Sequence, residues 1–170
     1  STTAQSGSVL AQQPAIQLRD PSGNAATQAG IVITAAVASG GGALGGTTTA
    51  ITNASGVATF TNLSITGTVG DRTLSFSATA LTGATSTAIT LSASTATQLA
   101  ITTQPSTAAQ SGVAFTQQPV LQLQDASGNA VSQSGVVVFV AIALGGGTLG
   151  GTAAATTNAR QTTMELTMSA

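Results

Sequence analysis

A segment of about fifty residues occurs twice in this chain, and the interval between the copies limits the folds open to it. Residues 4–25, AQSGSVLAQQPAIQLRDPSGNA, match residues 109–130, AQSGVAFTQQPVLQLQDASGNA, at an offset of 105. The same offset carries Gly40-Gly41-Gly42 onto Gly145-Gly146-Gly147 and Leu44-Gly45-Gly46 onto Leu149-Gly150-Gly151. Between Ala4–Ala54 and Ala109–Ala159, 30 of 51 aligned positions are identical. A fixed period of this kind marks a repeat architecture. A unit of 105 residues is the size of one immunoglobulin-type sandwich, about 100 residues.

Within a repeat, runs of alternating polarity are separated by turn residues, the pattern of short strands in a sandwich or barrel. Ile16 and Leu18 fall on one face and Gln17 and Arg19 on the other. Asp20-Pro21-Ser22-Gly23-Asn24 follows as a turn. Ile31, Ile33, Ala35 and Val37 share the next face, and the glycine-rich segment 39–46 ends that strand. Asn53-Ala54-Ser55-Gly56 is a further turn. Ala58 and Phe60 point inward, but Leu63 and Ile65 have the opposite parity, which predicts a β-bulge near Thr61–Asn62. Leu74, Phe76 and Ala78 form a sixth strand, Ile89 and Leu91 a seventh, and Leu99 and Ile101 open the next repeat. No 3.6-residue period appears. The expected fold is all-β: tandem immunoglobulin-like Greek-key β-sandwiches, repeat one over residues 1–98 and repeat two over 99–170.

Several pieces, in order, resemble a bacterial immunoglobulin-like domain of the invasin/intimin type. They are the apolar-polar strand ending in Asp-Ala-Ser-Gly-Asn (125–129), the Val-rich alternating strand 136–142, a Gly-rich turn, the segment TNASGVATFTNLSITG (52–67) and a late strand after Gly70. The resemblance spans nearly the whole chain. It implies a Greek-key sandwich used as a spacer, adhesive or fibre-forming module of a bacterial surface protein, with adhesive specificity in a separate tip domain.

The two copies differ at their ends. Ser1 aligns with Ser106, so repeat one has no counterpart of the opening strand Leu-Ala-Ile-Thr-Thr-Gln-Pro (99–105). Ala170 aligns with Ile65, so repeat two has no counterparts of 71–79 and 85–94. Strands from outside are therefore expected to complete repeat two. Without them Leu121, Leu123, Val138 and Val140 should present an open apolar face. In the closing segment Glu165 stands where repeat one has Phe60, and Met164, Leu166 and Met168 take over the apolar parity. A slip of one residue exchanges the two faces of a strand.

Composition excludes several functions. Only 4% of residues are charged and the net charge is −1, against roughly 25% charged residues in ordinary soluble domains. Three arginines and no lysine cannot neutralise a run of phosphates, so no nucleic-acid partner is expected. No apolar run reaches the length of a membrane span, and no membrane insertion is expected. Cysteine is absent, so neither a disulfide nor a thiolate metal site can form. At 42% hydrophobic residues the chain can still pack cores, and its polar surface consists of Ser, Thr, Gln, Asn and Gly in place of charges.

Chemistry-bearing residues are few. There is no His, Cys, Lys, Tyr or Trp, so the many hydroxyls lack a general base. The four carboxylates lie in separate segments, and Asp20 and Asp125 occupy one position in different repeats, so no acid pair forms within a repeat. The chain reads as non-catalytic and without cofactor. The loop Gly40–Gly46 lacks the lysine and following helix of a phosphate loop and reads as a wide turn. Asp20 and Asp125 are weak metal candidates: Ca²⁺ wants six to eight oxygens, and each turn offers one carboxylate plus Asn24 or Asn129. An Asx-type turn is the better reading. Asp71-Arg72 reads as a solvated start of a strand. Asn53-Ala54-Ser55 and Asn62-Leu63-Ser64 match a glycosylation sequon. Phe139 should face outward where repeat one has Thr34, which makes it an interface candidate.

These observations lead to one functional expectation: a structural repeat module of an extracellular bacterial surface fibre, filament or adhesin stalk. Its partners would be copies of itself or adjoining repeats in a head-to-tail filament or stalk, with the missing strands supplied either by the same polypeptide continuing past Ala170 or by a neighbouring subunit through strand complementation. The rival expectation is a carbohydrate- or protein-binding module of a surface adhesin. Carbohydrate platforms usually present Trp or Tyr, and the chain has neither.

Overall fold

The two longest strands, Val32–Ser39 and Gly70–Ser77, alternate buried side chains with exposed or half-buried ones, and the first ends at the glycine run 40–42. The structure, a computed structural model, describes residues 1–158 and, beyond them, the backbone pairing of Thr163–Glu165 and Met168–Ser169. No helix occurs among the described residues. The chain divides into two units, Ser1–Ser94 and Thr95–Ala170.

The first unit contains ten strands: β1 (Thr3–Gln5), β2 (Ala15–Gln17), β3 (Val32–Ser39), β4 (Ala43–Gly45), β5 (Thr49–Ile51), β6 (Val57–Thr59), β7 (Ser64–Thr66), β8 (Gly70–Ser77), β9 (Ala84–Thr85) and β10 (Ile89–Ser92). One sheet has the order β1-β10-β8-β3-β5, with β9 also on β8. Two further pairs, β2-β6 and β4-β7, stand apart from it. β1 lies parallel to β10, and the other pairs are antiparallel. Side chains of both groups meet in one core. Ile33 and Ala35 of β3, Leu74 and Phe76 of β8, and Ile89 and Leu91 of β10 cluster with Ala58, Phe60, Leu63 and Ile65. Phe60 and Phe76 meet across it with ring centroids 5.5 Å apart. An all-β unit whose sheets share one apolar core is consistent with a β-sandwich.

The parity change between Phe60 and Ile65 is not a bulge in one strand. β6 pairs with β2, whereas β7 pairs with β4. The chain bends at Thr61–Asn62 and moves to a different partner, and both parities therefore point into the core. Close backbone approach fixes Gly40 and Gly42 in the loop before β4. At Gly42, φ is +92° and a Cβ would lie 2.6 Å from the Thr66 carbonyl oxygen.

In the second unit β11 (Gln98–Thr103) pairs with β12 (Val120–Gln124), β12 with β16 (Thr163–Glu165), β13 (Val137–Phe139) with β15 (Ala154–Thr156), and β14 (Gly150–Gly151) with β17 (Met168–Ser169). In the first unit Ala15 lies opposite Thr59, so the offset would set Val120 opposite Met164. Val120 instead lies opposite Glu165 and Leu121 opposite Met164. The one-residue slip legible in the tail is taken up as a register shift, which sets Met164 opposite Leu121 in the backbone pairing. It goes no further, because Gly150 lies opposite Ser169, the counterpart of Gly45 opposite Ser64. The expectations for Leu166 and for the side chains of Met164, Glu165 and Met168 lie outside the described residues.

Leu121, Leu123 and Val138 do not present an open face. They are 8%, 4% and 6% exposed, and Val140 is half-buried.

Candidate functional site

The turns after β2 and β12 are built alike. In the first, Asp20 Oδ1 accepts from Ser22 N–H at 2.9 Å and Asn24 N–H at 2.8 Å, and Oδ2 accepts from Asn24 Nδ2 at 3.1 Å. In the second, Asp125 Oδ1 accepts from Ser127 and Asn129 N–H, both at 2.9 Å, and Oδ2 from Asn129 Nδ2 at 2.9 Å. Both are Asx turns. The Asn24 side chain, followed by the backbone N–H groups of the turn, holds the Asp20 carboxyl below its usual range. The oxygens that a cation would need already accept hydrogen bonds, and the amides around them are donors. Among the described residues no three metal-ligating side chains cluster. The turns differ in setting: Asp20 is exposed, whereas Asp125 is 1% exposed.

A second matched network ties the strand after each turn. Thr52 Oγ1 accepts from Ile31 N–H at 3.0 Å, and Thr157 Oγ1 from Val136 N–H at 3.0 Å. Gly30 and Gly135 donate to the carbonyls of Thr52 and Thr157, both at 2.9 Å. Asn53 caps its own turn in the same way as the aspartates, through Ser55 and Val57 N–H. Asn62 Oδ1 accepts from Thr47 N–H at 2.7 Å. The glycine loop leads straight into β4 and not into a helix.

Arg72 contradicts its sequence reading. Asp71 is exposed and accepts from Thr90 Oγ1 at 2.7 Å, but Arg72 is only 3% exposed. It shares the inward parity of Leu74 and Phe76 on β8. Its Nη1 donates to the Asp71 carbonyl at 2.9 Å, and its Nη2 to the Thr68 carbonyl at 2.6 Å. Nε finds no partner among the described residues. The parity was visible in sequence, but a charge at that position suggested solvent.

Phe139 is 77% exposed beside buried Val138, with Val137 also exposed. It borders a groove of about 680 Å³ in the second unit, whose lining includes Leu99, Leu123, Gln133 and Val138. The first unit has a groove of about 630 Å³ lined by Ile16, Leu18, Gln28, Ile33, Phe76 and Leu81 among others. Sequence reasoning missed both, because each depends on which strand edge is left uncovered. The carboxylate on the first groove, Asp20, accepts the hydrogen bonds of its own turn. Comparison with known protein families, curated proteins and solved structures gives no match.

Proposed function

We propose that the chain is a structural repeat module of an extracellular bacterial surface fibre or adhesin stalk, built from tandem immunoglobulin-like Greek-key sandwiches of the invasin/intimin type. The observation that carries this reading is the matched hydrogen bonding of the two units. Asp20 and Asp125, Asn24 and Asn129, and Thr52 and Thr157 make the same bonds at a constant offset of 105. What the repeats hold in common is therefore a set of scaffold bonds that stiffen turns, and not a set of converging reactive groups. In stacked repeats each unit contacts its neighbours, which suits a spacer. The pairing of β3 with β8 across an intervening stretch of chain supports a Greek-key connection, as does the parallel contact of β1 with β10.

Imaging the native protein on its source cells tests the reading. Extended stalks or fibres with a regular repeat are expected, and isolated globular particles would overturn it. A glycan array separates the rival: selective binding of one sugar class by the purified chain would favour the binding module.

A further inference from the structure

Four backbone carbonyls converge on one side-chain nitrogen in the first unit. Gln17 Nε2 donates to the carbonyls of Leu18 and Ser55, both at 3.1 Å, of Gly56 at 3.3 Å and of Ala26 at 3.4 Å. Leu18 and Ala26 flank the turn after β2, and Ser55 and Gly56 belong to the turn before β6. The four oxygens form a cage between the two turns, and the amide fills it poorly. Its nitrogen carries two hydrogens, so two protons serve four acceptors. All four distances exceed the usual N–H···O separation of about 2.9–3.0 Å. Two of the oxygens are fixed by the backbone: Leu18 O accepts from Ala26 N–H and Gly56 O from Leu18 N–H, both at 2.9 Å. Gly56 keeps the cage open. Its φ is +74°, and a Cβ there would run into the Ala26 carbonyl and lie 3.2 Å from Gln17 Nε2.

We propose that this cage is a binding site for a large monovalent cation of the size of K⁺, held by the carbonyls of Leu18, Ala26, Ser55 and Gly56. The oxygens select the ion. None of the four carries a charge, and the carboxylate nearest in sequence, Asp20, accepts instead from Ser22 and Asn24. Ca²⁺ and Mg²⁺ recruit carboxylates and draw their oxygens to about 2.3–2.6 Å and 2.0–2.1 Å, closer than a cage of this width. Rings of neutral carbonyls replace the water shell of K⁺. On binding, the Gln17 side chain withdraws and its amide turns over. The two ends of the amide have nearly the same shape, so Oε1 faces the ion as a fifth oxygen and Nε2 turns to water. The ion ties the segment after β2 to the turn before β6.

The assignment is to the first unit alone. The offset sets Gln122, Leu123 and Val131 on Gln17, Leu18 and Ala26, but Arg160 and Gln161 on Ser55 and Gly56. Those last two lie outside the described residues, and Gln122 Oε1 accepts from Gln124 Nε2 at 3.2 Å. The site stands whether or not the chain is a stalk module.

The experiment titrates the full chain with KCl against NaCl at one total concentration of about 0.3 M, so that screening is the same throughout. NMR and thermal unfolding are the readouts. Expected are saturable shifts of the Gln17 Nε2 hydrogens with K⁺, while those of Gln13, which bond the Leu10 and Leu63 carbonyls, stay in place. The unfolding midpoint of the first unit should be higher in KCl than in NaCl by more than about 3 °C, as for a ligand that binds only the folded state. Gln17→Lys carries its own ammonium into the cage and should abolish that difference. The NMR shifts are read on the unsubstituted chain, so the outcome does not hang on the variant folding. Gln17 signals unmoved by K⁺, or moved equally by Na⁺, would overturn the proposal, as would a K⁺-dependent rise that persists undiminished in Gln17→Lys.

Discussion

Asp20 and Asp125 make the same hydrogen bonds but should answer differently to substitution. Asp125 is buried, so Asp125→Ala leaves the N–H groups of Ser127 and Asn129 without their acceptor inside the protein. Orphaned buried donors cost about 1–3 kcal/mol. Asp20→Ala exposes its donors to water and should have a distinctly smaller effect, and urea unfolding of the two variants checks the order. The Asp20 carboxyl also predicts a pH dependence. Its folded pKa lies below the ordinary 3.8, chiefly through the Asn24 side chain. A depressed acid contributes stability that is fully present above the unfolded value and is lost as pH falls through the folded one. An NMR titration of Asp20 should have its midpoint below 3.8, and Asn24→Ala should move it upward. Arg72 is a different case, a buried cation held by carbonyls. Arg72→Ala should destabilise the first unit by about 2–4 kcal/mol through lost packing and orphaned carbonyls. A thermal scan showing no change would contradict that account.

At the scale of elements, period-two alternation placed the strands well. Ile33 and Ala35, Leu74 and Phe76, and Ile89 and Leu91 are all buried where alternation puts them. Phe139 is exposed for the same reason. Partner choice was not legible. The parity change at Thr61–Asn62 looked like a bulge because sequence does not say that β6 and β7 join different strands. The grooves escaped notice likewise, since an uncovered edge is a property of pairing. Arg72 was misread because charge was weighed above parity. Backbone strain is seen at Ala80, in the turn between β8 and β9 on the wall of the first groove, where φ = 62°. A left-handed conformation costs a non-glycine residue roughly 1–2 kcal/mol. Part of that gain is offset by the greater freedom of glycine in the unfolded chain. Ala80→Gly should therefore stabilise the first unit by about 0.5–1 kcal/mol, read as an upward shift of its thermal midpoint.

For the whole molecule the controlling fact is the near-absence of charge. Three arginines face three aspartates and one glutamate in 170 residues. Asp20 and Asp125 each accept hydrogen bonds from the amides of their own turns. Apolar burial, backbone pairing and short-range side-chain bonds such as those of Asp125 and Arg72 are the stabilising terms on view, and short-range contacts of this kind depend little on long-range Coulomb forces. Salt shortens the Debye length from about 30 Å at 0.01 M to about 3 Å at 1 M, which weakens only interactions between exposed charges. The thermal midpoint should therefore move by less than about 3 °C between 0.01 and 0.3 M NaCl, in contrast to a protein held by surface ion pairs. Chelation tests the complementary point. Ca²⁺ would have to displace N–H donors from each Asx carboxylate and gather the rest of its oxygens from neutral groups, so EDTA should leave the midpoint unchanged. A fall of more than about 10 °C on adding EDTA, restored by Ca²⁺, would correspond to roughly 2 kcal/mol of ligand-linked stability. That result would show that the Asp20 and Asp125 turns open to take a cation, and that metal, and not the turn's own amides, fixes the repeats.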